Sequence, residues 1–156
     1  MLPNPQPAMN LSRLELQNYF VTALSLTANR NFDGHKPRAA CFSDLLVEPF
    51  FKVDDKDARH WQVTLKITYR PGPDVNAPYH FAIEIVGLFQ VAVDYSADKV
   101  QWVVETNATS VLFGTAREML RSTMTTGPYP PMILPTGSFY EPKRAPGEKA
   151  DTAGKK

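Results

Sequence analysis

His35, His60, His80, Cys41 and the run Asp54-Asp55-Lys56-Asp57 are the first side chains to weigh for chemistry. A histidine serves as a metal ligand when a second His, Cys or carboxylate stands at ligand spacing, and none of the three has such a neighbour. His60 and His80 fall on the polar phase of alternating segments and His35 in a glycine-containing loop, so all three read as surface residues. The acidic run lacks the Gly and Glu of a calcium loop and reads as a solvated turn. Cys41, beside Phe42, reads as a small buried hydrophobe rather than a nucleophile. Arg117 and Glu118 read as partners of neighbouring residues in structural ion pairs. Neither a Gly-rich phosphate loop nor a Gly-x-Ser-x-Gly elbow occurs. No acid, base and nucleophile converge, so the expectation is a protein that is not an enzyme and uses no cofactor or metal.

Composition narrows the remaining classes. The chain has 156 residues, enough for one domain, and a net charge of +1, which argues against a protein that grips nucleic acid through phosphates. No apolar run reaches the length of about 18 residues that a membrane span needs. The first residues carry neither the basic nor the apolar region of a secretory signal. One cysteine builds neither a disulfide within the chain nor a thiolate metal site, so a reducing, cytoplasmic setting is expected. The 14 prolines exceed the roughly 8 expected at typical usage, and they cluster. Pro3, Pro5 and Pro7 mark residues 1–10 as a disordered leader. Pro142 and Pro146 lie in a disordered, Lys-rich tail over 141–156. The folded unit is expected over 11–140.

Within that unit, Trp61, Val63, Leu65, Ile67 and Tyr69 alternate with polar residues, as in an antiparallel strand with one buried face. A turn-rich stretch over 70–78 leads to a second such strand with Tyr79, Phe81, Ile83, Ile85, Phe89, Val91 and Val93 on one face. Gly87 inside it signals a bulge or a close backbone approach. Upstream, Leu14, Leu16, Phe20, Leu24 and Leu26 alternate through a long first strand, and 41–53 forms another that Pro49 confines to an edge or a bulge. Residues 98–105 suit a short helical turn. Asn107 is the expected N-cap of a helix of about 18 residues, roughly 27 Å long, stopped by Thr126-Gly127-Pro128. The order predicts an α+β fold: a four-stranded antiparallel sheet followed by a long helix packed on one side. Pro128, Pro130, Pro131 and Pro135 keep the next segment out of any ladder, so its apolar side chains must pack on a surface or line a crevice.

Two stretches carry a family resemblance. Ser110-Val-Leu-Phe-Gly-Thr-Ala-Arg-Glu-Met-Leu120 resembles the Asn-x-Leu-Phe-x-x-Ala-Arg-Glu helix of the SecB family of export chaperones, through Leu112, Phe113, Ala116, Arg117 and Glu118. Gly127, Tyr129, Pro130, Met132, Leu134 and Phe139 match that family's following Gly-x-aromatic-Pro segment, and Gly87-Leu-Phe89 resembles its strand-ending Gly-Ile-Phe. The resemblance covers about residues 12–140 with the element order kept. It implies a homotetramer, a dimer of dimers with helices between outer sheets. It also implies an ATP-independent holdase that binds unfolded polypeptide along apolar grooves and keeps preproteins export-competent, with SecA as a partner.

The physics of such binding asks for adaptable apolar patches and an open strand edge rather than a catalytic constellation. The candidate polypeptide-binding residues are Phe50, Phe51, Met119, Met124, Tyr129, Met132, Ile133, Leu134 and Phe139. The chain departs from the family in having no helical periodicity past Phe139, a tail that ends in lysines, and no carboxylate between Leu16 and Phe32, where the family places part of its SecA-docking surface. These departures raise a second reading, a SecB-like chaperone dedicated to one client such as an antitoxin. A third, from another class, is an α+β domain that binds a small apolar ligand or lipid beneath its helix.

Overall fold

The computed structural model describes residues 12–37, 42–137 and 139. The leader, the tail and Cys41 lie outside the described residues. Four strands, β1 (Leu14–Ala28), β2 (Leu45–Val53), β3 (His60–Tyr69) and β4 (Tyr79–Val91), form one antiparallel sheet in the order β1-β4-β3-β2. The chain therefore crosses from one edge of the sheet to the other between β1 and β2. A reciprocal pair of hydrogen bonds ties that crossing to the β3–β4 turn: the Asp33 N–H donates to Asn76 Oδ1 and Asn76 Nδ2 donates to the Asp33 carbonyl, both at 2.9 Å.

One face of the sheet is buried. Val63, Leu65, Ile67 and Tyr69 on β3 and Tyr79, Phe81, Ile83, Ile85, Phe89 and Val91 on β4 form it, as the alternation predicts. Val93 lies past the end of β4 and is exposed, a correction to its expected place on that face. The faces of β1 also differ from the simple alternation. Register shifts at Leu16/Asn18 and Val21/Ala23 turn the strand over and back. Leu14, Leu16, Leu24 and Leu26 therefore sit opposite the buried residues Val91, Phe89, Ile83 and Phe81, while Phe20 sits opposite Val86 on the outer face. Each bulge inserts one residue, which is enough to reverse every side chain beyond it.

The helical layer starts before Asn107. A 3-10 turn (Ala97–Lys99) leads into α1 (Val100–Val103), a π turn (Val104–Ala108) and α2 (Thr109–Met124) without a break. Asn107 is an exposed residue inside the π turn rather than a cap. Burial gives the reason: Val100, Val104, Ala108, Leu112, Ala116, Leu120 and Met124 form one buried row at intervals of four. Four residues overshoot a 3.6-residue turn, so such a row drifts around a regular α-helix. The wider π turn under-rotates and brings the row back over the sheet.

Two glycines fix how closely these layers meet. A Cβ at Gly87 would lie 2.6 Å from Phe89 Cε2 and 2.8 Å from Leu112 Cδ2, so α2 rests against bare backbone in β4. This is the close approach anticipated for Gly87. At the end of α2, a Cβ at Gly127 would lie 2.3 Å from the Tyr79 hydroxyl. That hydroxyl accepts the Tyr129 N–H at 2.8 Å and donates to the Tyr129 carbonyl at 2.8 Å, which fastens the helix exit to the start of β4. Tyr79→Phe is expected to leave a largely shielded Tyr129 N–H unpaired and cost about 1–3 kcal/mol. Gly87→Ala is expected to overpack the layer by about 1–3 kcal/mol. Urea denaturation midpoints check both.

Candidate functional site

After α2 the chain turns back along the helix in an extended, non-ladder conformation. Met132 N–H donates to Met124 Sδ at 3.3 Å, Arg117 Nη1 donates to the Thr136 hydroxyl at 3.0 Å, and Phe139 meets Phe113 edge-on with ring centroids 5.8 Å apart. Extended backbone alternates its side chains, and here the alternation separates core from surface. Met132 and Leu134 point inward and are buried, while Ile133 between them is 68% exposed. Tyr129 anchors the start of the segment, packed edge-on against both Phe32 at 4.9 Å and Tyr79 at 5.7 Å. The proline-rich segment thus does what its composition requires, packing apolar side chains without completing a sheet.

The nominated residues therefore divide by position. Met124, Met132 and Leu134 belong to the core. Met119, Tyr129, Phe139 and Phe51 are half-buried at its margin. Ile133 and Phe50 are open to solvent. Sequence reasoning overlooked further exposed side chains that accompany them: Leu46 and Val53 on β2, and Tyr19 and Leu24, with Phe20, on β1. These five and Phe50 all belong to the two edge strands. The signal was their place on the edges, where a side chain loses one of its two lateral neighbours, and this depends on the strand order.

On the outer face of the sheet, charge and aromatic contacts cross three strands. The Thr22 hydroxyl donates to Glu84 Oε1 at 2.6 Å and Lys66 Nζ lies 3.3 Å from Glu84 Oε2. The hydrogen bond from Thr22, then the bond and charge of Lys66, hold the Glu84 carboxyl below the usual glutamate range. Lys66 Nζ also stands 5.3 Å from the centroid of the Phe50 ring, a cation–π distance. At the β2–β3 turn, an open cleft of about 530 Å³ is lined by Lys52, Asp54, Asp55 and His60 together with the apolar Val53, Trp61, Leu88 and Phe89. Beside it, the Arg59 backbone N–H and then the nearby His60 hold the Asp57 carboxyl below its ordinary range, and His60 Nδ1 lies 2.7 Å from Asp57 Oδ2. Among the described residues, no group of three His, Cys, Asp or Glu side chains is placed to hold a metal ion. Glu118 forms a structural ion pair with its neighbour Arg121, as expected, and Arg117 bonds the Thr136 hydroxyl. The helix–sheet interface is filled by Leu65, Ile85, Leu112, Leu120 and Met124, all fully buried.

Substitution and pH each probe this geometry. Ile133→Ser is expected to change stability by less than about 0.5 kcal/mol, whereas Leu134→Ala one position later costs about 2–5 kcal/mol. Denaturant titration separates them. A carboxyl whose pKa is lowered by folding stabilises the folded state at neutral pH, and that contribution disappears as pH falls through the lowered value. The stability gap between the wild type and Glu84→Gln is therefore expected to be open at neutral pH and to close progressively below about pH 4.3, as read by urea unfolding across pH.

The comparisons with known proteins agree with this architecture. A family model described as "Preprotein translocase subunit SecB" matches residues 8–141. Among solved structures, the chain is similar to the Rv1957 SecB-like chaperone of Mycobacterium tuberculosis, solved in complex with a ChAD peptide from the Rv1956 HigA1 antitoxin. The TM-score is 0.60 and the identity 16%, covering 81% of this chain and 91% of that one, a likeness of fold. A Streptococcus agalactiae protein of unknown function gives a TM-score of 0.45 at 15% identity, covering 78% of this chain and 96% of that one. No curated protein matches. The family match runs from before β1 to past the extended segment after α2, and on that match the chain belongs to the SecB family.

Proposed function

We propose that this chain is an ATP-independent chaperone that holds unfolded polypeptides, and that it works as a tetramer in the cytoplasm. The observation that carries the reading is the exposure of apolar side chains on the two sheet edges and on the segment beyond the helix, Leu46, Phe50, Val53 and Ile133 among them. Non-native chains expose apolar side chains and free backbone groups together, and a surface that offers both suits them. Each client Leu or Phe buried there contributes about 1.5–3 kcal/mol, so several weak contacts along one chain add through linkage rather than through any single pocket.

The assembly is supported by features of the single chain that folding leaves open. β1 is 15 residues long, has no partner on its outer edge among the described residues, and carries no charged residue from Leu16 to Asn29. Tyr19 and Phe20 on opposite faces are each 45% exposed. A long, uncharged edge of this kind suits pairing with a second copy, with its two bulges setting where such a ladder can run. On the helical layer Val111 is 42% exposed, and Gly114 in α2 has open space where a Cβ would be. A glycine there weakens the helix, and its compensation is a close approach by another helix.

Two finer readings divide the clients. Delivery of preproteins to SecA would call on carboxylates of the outer sheet, yet β1 offers none between Leu16 and Phe32 and Glu84 is already engaged by Thr22 and Lys66. These observations favour a dedicated client, and the relative solved with an antitoxin peptide gives that reading a precedent in a SecB-like chaperone. Binding of a small apolar ligand beneath the helix has the least support, since that interface is filled.

The test is aggregation of a chemically unfolded protein diluted into buffer with and without the chaperone. Suppression is expected, together with its marked reduction by the double variant Phe50→Asp/Ile133→Asp at unchanged helical circular dichroism. Undiminished aggregation in the presence of the wild type would overturn the reading. Phe20→Lys in β1 is expected to shift the tetramer towards smaller species in light scattering.

A further inference from the structure

The two edges of the sheet are built differently, and the difference at β2 concerns how a client would be read. β2 pairs with β3 through nine consecutive residues with no register shift, from Leu45↔Tyr69 to Val53↔Trp61. In an antiparallel ladder, residues alternate between pointing both backbone groups at the partner and pointing both away. The Asp54 N–H donates to the His60 carbonyl at 2.9 Å, one pair beyond Val53↔Trp61, so even-numbered residues face β3. Leu45, Val47, Pro49, Phe51 and Val53 therefore turn their backbone groups to the free edge. Pro49 agrees with this parity, since it has no N–H to give to β3 and would break the ladder at an even position.

We infer that the β2 edge takes a client by strand addition, with an extended apolar polypeptide segment as its occupant and Pro49 limiting the length of the ladder. The inference rests on the polypeptide-binding reading above and specifies how that binding is made. The Leu45 N–H closes the 3-10 turn Phe42–Asp44. Val47, Phe51 and Val53 offer a donor and an acceptor each, and Pro49 offers its carbonyl alone. Among the described residues, no segment bonds to these groups. Side chains on both faces are placed to meet an added strand. Leu46 and Phe50, 53% and 51% exposed, stand on the outer face, and Val47 and Phe51 stand half-buried on the helix side.

The occupant is argued by contrast between the edges. β1 has the length that a permanent copy-to-copy ladder uses and, lacking proline, keeps an N–H on every residue, although two bulges interrupt their spacing. β2 has a missing donor at its centre and charged Glu48 and Lys52 on its outer face, devices that discourage self-pairing while leaving short ladders on either side of the proline. A short ladder reads main chain, which every client has, and alternate apolar side chains, which unfolded clients expose. Such an edge binds many sequences without templating an aggregate.

The experiment uses the full chain in its native assembly and a short fluorescein-labelled peptide of alternating leucine and serine. Binding is read by anisotropy, and amide hydrogen exchange is read residue by residue. The Val47 and Phe51 amides are expected to exchange freely without peptide and at least about tenfold more slowly with it, while the Glu48 and Phe50 amides are protected throughout. Pro49→Val restores the missing donor and is expected to tighten binding about two- to tenfold, the worth of one hydrogen bond. If the peptide binds but Val47 and Phe51 stay unprotected and Pro49→Val changes nothing, strand addition is wrong and the chaperone reading stands. Protection of Val47 and Phe51 before any peptide is added would mean that a second copy or another part of the chain already holds the edge, which also overturns the inference. If no peptide or unfolded protein binds, both readings fall together.

Discussion

Four strands backed by one helical layer cannot close on themselves, and the unpaired backbone at each edge of the sheet is the constraint on which the rest of this structure turns. A closed barrel would have no edges, and a second helix could cover one. Here the crossing from β1 to β2 carries the chain from one edge to the other, so both edges belong to strands formed early in the sequence and neither is sheltered by a neighbour within the described residues. The buried core centres on β3 and β4, with Leu14 of β1 inside it and Leu16, Leu26, Leu45, Val47 and Phe51 of the edge strands packed against it. The inward side chains of the edge strands serve this core, while their outward backbone groups have no partner among the described residues.

Stability rests instead on the seam between α2 and β4. Gly87 lets Leu112 and Phe89 close over bare backbone, the π turn keeps one buried row aligned over the sheet, and Tyr79 clasps the residue where the chain leaves the helix. The segment after the helix is then laid along α2 by Met124, Arg117 and Phe113, a sulfur contact, a hydrogen bond and an aromatic edge in succession. Its prolines exclude it from the sheet, and its alternation alone decides that Leu134 supports the core while Ile133 meets the solvent.

Much of this was legible in the sequence, and the misses have definite causes. β3 could be read because a strand with one wet face repeats every two residues from Trp61 to Tyr69. Gly87 announced a close approach, and Pro49 an edge. The faces of β1 could not be read, because nothing in Gln17 or Thr22 marks them as bulge residues and each bulge inverts the side chains beyond it. Asn107 has the composition of a cap, but burial of Val100, Val103 and Val104 continues the helix on its N-terminal side. Among the candidate binding residues, composition could not separate Met124 and Met132 from Ile133, since their difference arises where the segment folds back on the helix. The exposure of Leu46 and Tyr19 comes from the strand order, a property no local window contains.

The central claim is that these open edges and apolar margins serve two kinds of association, one with copies of the chain and one with unfolded polypeptide. Native mass spectrometry of the purified protein, alone and with a permanently unfolded polypeptide, tests both in one measurement. The account predicts a tetramer that shifts in mass by one bound polypeptide. A monomer whose mass is unchanged by the unfolded chain would contradict it.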